Sequence, residues 1–389
     1  MKKGVLYNIL LFIVSIIMTF YLGNELFIIY NSKKDAKIDV VSDIKAHPSH
    51  DAYDNEGEYY GYYDIFSKME WHSYLGYIPV SNYKGNGYYT NKQRFRYNEN
   101  IKHNKPSDEV RIFITGGSTA WGAGVKQNDM YSYVAEKLLN ERCNNIEIKV
   151  ISTGVGSQVS TQEVIRVMNE IRYFEPDVIV MFSGMNDTFS AYRNWHIEKN
   201  FDPFNISHAL SKTDILLKHN NSLYNAPPPQ KNNFDNIILY SYAMQKYKSN
   251  LFRKKEEVAN VIINNINIVY DISSYLTADF VFYLQPYLYH TAKTLSDFER
   301  LELERNEEMF YKISEYSRNI YDYLYENIST DAFKKGYRFF YADDAIKNET
   351  KSVFVDHCHF GDRGNKLIGE HLAKIILTIL QTRQGICRD

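Results

Sequence analysis

An apolar segment that ends in two glycines and a serine constrains the fold of this chain more than any other stretch. Residues 112–115 have the length and apolarity of a buried strand, and Gly116-Gly117-Ser118 follow at once. Residues 131–139 then have the pattern of a helix. We therefore predict strand, tight turn and helix, an arrangement that lifts the Ser118 hydroxyl above the edge of a sheet. A simple helix N-cap is the alternative role for Ser118.

The same alternation of strand and helix continues along the chain. Strands are predicted at 146–152, 177–182, 280–284 and 337–341, and helices at 157–171, 251–275, 297–327 and 365–380. Repeated units of this kind, joined by right-handed crossovers, build an α/β fold with a parallel sheet covered on both faces. Because the strands end at one edge, we expect the polar residues that follow them to meet there. These are Ser118, Gly156, Asn186 and the loop 356–359.

The N-terminal region predicts a membrane anchor. Residues 4–23 carry no charge and are long enough to cross a hydrocarbon core of about 30 Å. Lys2 and Lys3 precede them, and no clear cleavage site follows, so we expect an uncleaved signal anchor over 1–30 that places the rest of the chain outside the cytoplasm. A buried core helix is the alternative.

The remaining chain divides by composition. Residues 31–67 are polar and aperiodic, which is typical of a linker. We predict one domain over 68–389, with an N-terminal extension at 68–108 and an insertion at 188–250 that breaks the strand-helix rhythm.

Charge and cysteine content exclude several classes of protein. The net charge of -2 gives no sign of a polyanionic partner, so we expect no nucleic acid. Hydrophobic residues make up 44% of the chain, enough for a sizeable core. The three cysteines, Cys143, Cys358 and Cys387, are far apart, so at most one disulfide can form and no disulfide framework is visible.

Acyl transfer is the chemistry that the residues at the strand ends can perform together. A serine hydroxyl needs an adjacent base near neutral pH, and His359 can accept the Ser118 proton and return it to a leaving group. Asp356, three residues earlier in one short loop, can orient that imidazole. The backbone N–H groups of Ser118 and Gly156 and the side-chain amide of Asn186 are candidate donors to the oxyanion. We predict a catalytic set of Ser118, Asp356 and His359.

Three further residues are candidates for the walls of a substrate pocket. They are Asp187, Gln285 and Trp121, for which packing in the core or in loops is the alternative. The pair Asn186-Asp187 also has the pattern of a turn or Asx cap.

The loop 356–359 also contains carboxylate, thiol and imidazole groups that bind zinc in other proteins. Neighbouring residues point apart, however, and no second ligand cluster of fitting spacing occurs elsewhere in the sequence. Cys358 lacks the strand-turn-helix setting of Ser118, which argues against a cysteine nucleophile. We predict no metal site.

Four short blocks, in their order along the chain, resemble those of the SGNH, or GDSL-type, hydrolase superfamily. The blocks are Gly116-Gly117-Ser118, Gly156 in Thr153-Gly154-Val155-Gly156, Gly184-Met185-Asn186-Asp187 and Asp356-His357-Cys358-His359. The resemblance spans about residues 111–380. It implies a flavodoxin-like three-layer α/β/α fold, ester hydrolysis without a cofactor, and the catalytic and oxyanion roles given above.

One departure from the family pattern bears on the substrate. Gly117 stands where lipase-like members have Asp, which argues against lipid substrates. The segment from Leu75-Gly76-Tyr77 to Arg96, the run after Gly116 and Leu284-Gln285-Pro286 resemble membrane-anchored bacterial members associated with surface polysaccharides. The resemblance implies a sugar O-acyl ester, most simply O-acetyl, as substrate.

We therefore expect a serine esterase that acts on an extracytoplasmic acylated glycan or another small ester. One alternative is a polysaccharide O-acetyltransferase, in which a sugar hydroxyl replaces water at the acyl-enzyme. The other is a catalytically inactive glycan-binding protein, against which the intact set of catalytic residues argues.

Overall fold

The computed structural model describes residues 51–54, 68–85, 87–143, 145–193, 254–310, 312–384 and 387. The predicted anchor lies outside these residues, as do most of the predicted linker and insertion. Among the described helices, none combines the length and the apolarity needed to cross a bilayer.

A five-stranded parallel sheet forms the centre of the domain. Its strands are β3 (Glu109–Gly116), β4 (Glu147–Ser152), β5 (Val178–Ser183), β6 (Asp279–Leu284) and β7 (Arg338–Tyr341), preceded by the antiparallel hairpin β1 (Met69–His72) and β2 (Gly76–Pro79). The order across the sheet is β4-β3-β5-β6-β7, with every neighbouring pair parallel. The prediction of a parallel α/β sheet is thereby confirmed.

Helices cover both faces of this sheet. They are α1 (Ser118–Trp121), α2 (Tyr131–Arg142), α3 (Ser160–Asn169), α4 (Met185–Arg193), α5 (Lys255–Tyr275), α6 (Asp297–Met309), α7 (Ile313–Lys335), α8 (Asp343–Ile346) and α9 (Asp362–Gln384). One core cluster contains residues of α3, α5 and α7, and the other contains residues of α2 and α9. Strand β3 supplies both clusters because its side chains alternate: Phe113 joins the first, and Ile112 and Ile114 join the second. The result is a three-layer α/β/α sandwich.

The structure corrects one helix prediction and adds a short helix that the sequence did not indicate. The predicted helix 297–327 is two helices, α6 and α7, separated at Phe310 and Lys312, where Lys312 adopts a left-handed backbone conformation. Phe310 packs edge-on against Phe189 and Tyr192, a contact that the helical period of the sequence does not reveal. The helix predicted over 131–139 is confirmed as α2, which begins at Tyr131, and the structure adds the single turn α1 directly after the glycines.

A disulfide joins the end of α2 to the C-terminal segment. Cys143 and Cys387 form it and are 244 positions apart in sequence. Cys358 is a free, buried thiol. A single bridge agrees with the expectation that at most one can form.

Candidate active site

The turn after β3 carries Ser118 at the carboxyl edge of the sheet. Gly116 has a φ of +149°, and a Cβ at this position would lie 2.3 Å from the carbonyl oxygen of Phe182. Glycine is therefore required where β3 and β5 approach each other most closely. Ser118 then opens α1 and is 6% exposed. The tight turn places the hydroxyl directly above the central strands.

The imidazole of His359 lies between Ser118 and Asp356. Its Nε2 is 2.6 Å from the Ser118 Oγ, and its Nδ1 is 2.6 Å from the Asp356 Oδ2. The carboxylate can only accept a hydrogen bond, so the imidazole donates from Nδ1 and its Nε2 is left to accept from the serine hydroxyl. The structure thus brings together the three residues predicted as a catalytic set, from segments 241 residues apart in sequence.

Asp356 is held as a carboxylate by its surroundings. Its second oxygen, Oδ1, accepts the backbone N–H groups of Cys358 and His359 at 2.8 and 2.7 Å. Burial by itself would raise the pKa of Asp356, but the adjacent His359 and these hydrogen bonds outweigh it and hold the pKa well below its ordinary value. Asp356 therefore orients the imidazole and favours its protonated form when the proton of Ser118 is transferred.

A buried ion pair supports the segment that leads into this loop. Glu299 accepts the backbone N–H groups of Val353 and Phe354 at 2.9 and 3.2 Å, and Lys293 donates to the same carboxylate at 2.6 Å. Both charged side chains are completely buried. Sequence reasoning did not identify this support, because Glu299 is 55 residues from Phe354 in sequence and neither charged residue belongs to a recognisable block.

The candidate oxyanion donors surround the same turn. Within the described part of the chain, the backbone N–H groups of Ser118 and Gly156 meet no protein acceptor. The Asn186 side chain donates to the carbonyl of Gln158 at 2.7 Å, which leaves its second N–H for another acceptor. Three donors from three different loops therefore lie at this edge of the sheet.

The Asn186 amide also explains the residue at position 117. A Cβ built on Gly117 would lie 2.0 Å from the Asn186 Nδ2. An aspartate at this position would displace the amide, so glycine and the observed placement of Asn186 belong together. The departure from the lipase-like pattern thus has a local steric reason.

The three residues predicted to line the pocket are buried and contact other residues of the protein. Asp187 is fully buried and accepts hydrogen bonds from the backbone and the hydroxyl of Ser160 at the start of α3. Gln285 is buried and donates to the Thr119 hydroxyl at 2.9 Å. Trp121 is buried and packs edge-on against Tyr88. These contacts support the turn and the neighbouring helices, and a role of the three residues in substrate binding stays a prediction.

Arg96 fixes the segment that follows α1. Its guanidinium is buried and donates to the carbonyls of Trp121, Gly122 and Val125 at 2.7 to 2.8 Å, and to the Gln127 side chain. Burial lowers the pKa of Arg96 to about 9. Arg96 ends one of the segments that carry the family resemblance, but the sequence does not predict its contacts with the residues after α1.

A second buried carboxylate lies beneath the turn. Glu163 on α3 accepts the hydroxyl of Thr115 at 2.7 Å and that of Ser183 at 2.6 Å, so it links the ends of β3 and β5. Burial raises the pKa of Glu163 to about 8. It therefore links the ends of the two neighbouring strands that lead into Ser118 and Asn186.

The potential metal ligands of the histidine loop overlap with this catalytic arrangement. Among the described residues, Asp356, His357 and Cys358 have ligand atoms within 4.8 Å of one another. Burial and the charge of Asp356 raise the pKa of the Cys358 thiol well above its ordinary value, which disfavours the thiolate that zinc requires. The Asp356 carboxylate is moreover already engaged by His359, so the donor set fits zinc poorly.

No protein-family model and no curated protein sequence matches the chain. Among solved structures it is similar to a carbohydrate acetylesterase from Sinorhizobium meliloti (13% identity, 69% of this chain and 99% of the other, TM-score 0.41). It is also similar to an aryl esterase from M. smegmatis (14% identity, 70% of this chain and 100% of the other, TM-score 0.42). A third similar structure is a GDSL-like lipase from Bacteroides thetaiotaomicron (11% identity, 69% of this chain and 89% of the other, TM-score 0.37).

Proposed function

We propose that this protein is a serine esterase of the SGNH type that hydrolyses O-acyl esters through an acyl-enzyme. The observation that carries the proposal is the continuous hydrogen-bonded chain from the Ser118 Oγ through both nitrogens of His359 to Asp356. A buried serine, a base at 2.6 Å and a carboxylate behind the base form the arrangement that activates a hydroxyl as a nucleophile.

The reaction follows from this geometry in two stages. In the first, His359 Nε2 takes the hydroxyl proton as the Ser118 Oγ bonds to the ester carbonyl carbon, and the imidazolium then protonates the departing alcohol. In the second, His359 deprotonates a water that attacks the acyl-enzyme, and Ser118 is released with its proton. In both tetrahedral intermediates the N–H groups of Ser118 and Gly156 and the Asn186 amide donate to the oxyanion, each typically worth about 2.7–4 kcal/mol.

The proposed setting is outside the cytoplasm, with an acetylated glycan as substrate and the N-terminal segment as anchor. Support comes from the disulfide between Cys143 and Cys387, since such bridges persist in oxidising compartments and are rare in the cytosol. The apolar stretch 4–23 and the resemblance to polysaccharide-associated proteins support the same setting.

The test uses the full-length protein purified in a mild detergent. We expect it to hydrolyse p-nitrophenyl acetate and to be labelled by a fluorophosphonate at Ser118, with both signals lost in Ser118→Ala. A chelator should leave the rate unchanged, because no step uses a metal. Activity that survives Ser118→Ala, or an unlabelled and inactive wild-type protein, would contradict the proposal and favour a binding protein. Esters formed on an added sugar acceptor would instead reveal the acetyltransferase.

A further inference from the structure

Trp71 is an exposed aromatic residue in the β1–β2 hairpin, which packs against the segment that follows Ser118. Its side chain is 57% exposed, although a tryptophan in a β-hairpin usually buries its large apolar surface. It lies in β1, whose neighbouring residue Met69 is buried in the core cluster that also contains Trp121 and Val155. The hairpin therefore packs against the serine turn, whereas Trp71 in β1 and Tyr74 in the hairpin turn stay exposed.

The strand register places this ring next to the candidate oxyanion loop. Trp71 is the cross-strand partner of Tyr77, and partners in an antiparallel pair share a face with Cβ atoms about 4.5–5.5 Å apart. The buried Tyr77 donates from its hydroxyl to the carbonyl of Gly156 at 2.7 Å. The Tyr77 side chain thus links the strand pair that carries the indole to Gly156, whose N–H is a candidate oxyanion donor.

The hairpin is held against the domain by side-chain hydrogen bonds. Gln158 donates to the carbonyl of Tyr77 at 3.1 Å, and Gln162 donates to the carbonyl of Leu75 at 2.8 Å. The His72 imidazole accepts the backbone N–H of Leu75 and closes the turn. The indole is therefore presented from a fixed backbone, which lowers the entropic cost of binding a ligand.

We propose that Trp71 forms the first sugar-binding position of the active site and stacks against a pyranose ring of an acylated glycan. This inference rests on the proposed esterase function and specifies the substrate as a polymer of pyranose sugars. A pyranose presents a flat face of C–H groups, and an exposed indole offers a matching apolar face at one side of the site. A small ester without a sugar ring should react at Ser118 without stacking on the Trp71 indole.

The experiment compares a small ester with polymers in the full-length protein. The substrates are p-nitrophenyl acetate and chemically O-acetylated xylan, glucomannan and chitosan, and the variants are Trp71→Ala and Trp71→Phe. The matched control is Tyr275→Ala, an aromatic that is 87% exposed at the end of α5. Because α5 ends where β6 begins, Tyr275 lies at the opposite edge of the sheet from Ser118.

We expect Trp71→Ala to lower kcat/KM on at least one polymer about tenfold or more, equivalent to about 1.4 kcal/mol, through KM. Trp71→Phe should retain part of the activity, and all variants should match wild type on p-nitrophenyl acetate. Equal activity of Trp71→Ala and wild type on every polymer that is hydrolysed would overturn the inference, as would a wild-type enzyme active on the small ester alone. In both cases the esterase proposal stands.

A protein inactive on every substrate and unlabelled by fluorophosphonate would instead remove the esterase proposal and this inference with it.

Discussion

Replacing Asp356 by asparagine tests the catalytic geometry most directly. Asparagine keeps one carbonyl oxygen, which can still accept the backbone N–H groups of Cys358 and His359 that now bind the Asp356 Oδ1. Its amide nitrogen takes the place of the Oδ2, 2.6 Å from the His359 Nδ1. An amide donates where the carboxylate accepted, so the imidazole proton moves to Nε2, and His359 can no longer accept from Ser118.

Asp356→Asn should cause a large loss of kcat, because it affects the chemical steps and not substrate binding. We expect kcat for p-nitrophenyl acetate to fall about 10³- to 10⁴-fold, or about 4–5.5 kcal/mol of barrier, with little change in KM. Steady-state kinetics on purified protein measure this, and thermal denaturation shows whether the loop survives. Because the backbone hydrogen bonds are kept, the unfolding free energy should fall by no more than about 1–2 kcal/mol.

Asp356→Ala is the matched variant. It loses the imidazole contact and also leaves the two loop N–H groups without an acceptor, each at a cost of about 1–3 kcal/mol. Its kcat should therefore be as low as that of Asp356→Asn, while its melting temperature should be lower. If the Asp356→Asn enzyme retained more than about a tenth of wild-type kcat, the idea that Asp356 fixes the tautomer of the His359 imidazole would be refuted.

Two further predictions concern stability. Burial raises the pKa of Glu163 to about 8. Its contribution to the unfolding free energy is therefore complete below the ordinary pKa of 4.5 and is lost as the pH rises through about 8. The melting temperature of Glu163→Gln should fall less than that of wild type when the pH is raised from 5 to 9. Reduction of the disulfide, or Cys387→Ser, should lower the unfolding free energy of the domain by about 2–5 kcal/mol, which denaturant titration measures. Unchanged stability would show that Cys143 and Cys387 are unpaired.

Much of the fold follows from local pattern. Strands such as β3 and β5 are wholly buried and therefore read as continuous apolar runs, and α9 shows a clear helical period. The break between α6 and α7 left no such signal, because it depends on where the Phe310 ring finds aromatic partners in α4. Local sequence predicts the existence of elements, whereas their ends depend on distant contacts.

The candidate site shows the same division. Ser118 could be predicted because it follows a strand at a known edge of the sheet, and Asp356 and His359 because their side chains supply a carboxylate and an imidazole three residues apart. Gln285 and Trp121 were placed in the pocket on residue type alone. Their actual partners, Thr119 and Tyr88, lie in other segments of the chain, so only the folded structure reveals them.

The sequence by itself determined the parallel sheet, the edge where its polar loops meet and the residues able to perform acyl transfer, because periodicity and residue chemistry are local properties. The tertiary structure alone decided that Glu299 and Lys293 support the histidine loop, that Glu163 links two strand ends and that Trp71 remains exposed. Burial and hydrogen bonding depend on which distant segments come into contact, and that information exists only once the chain has folded.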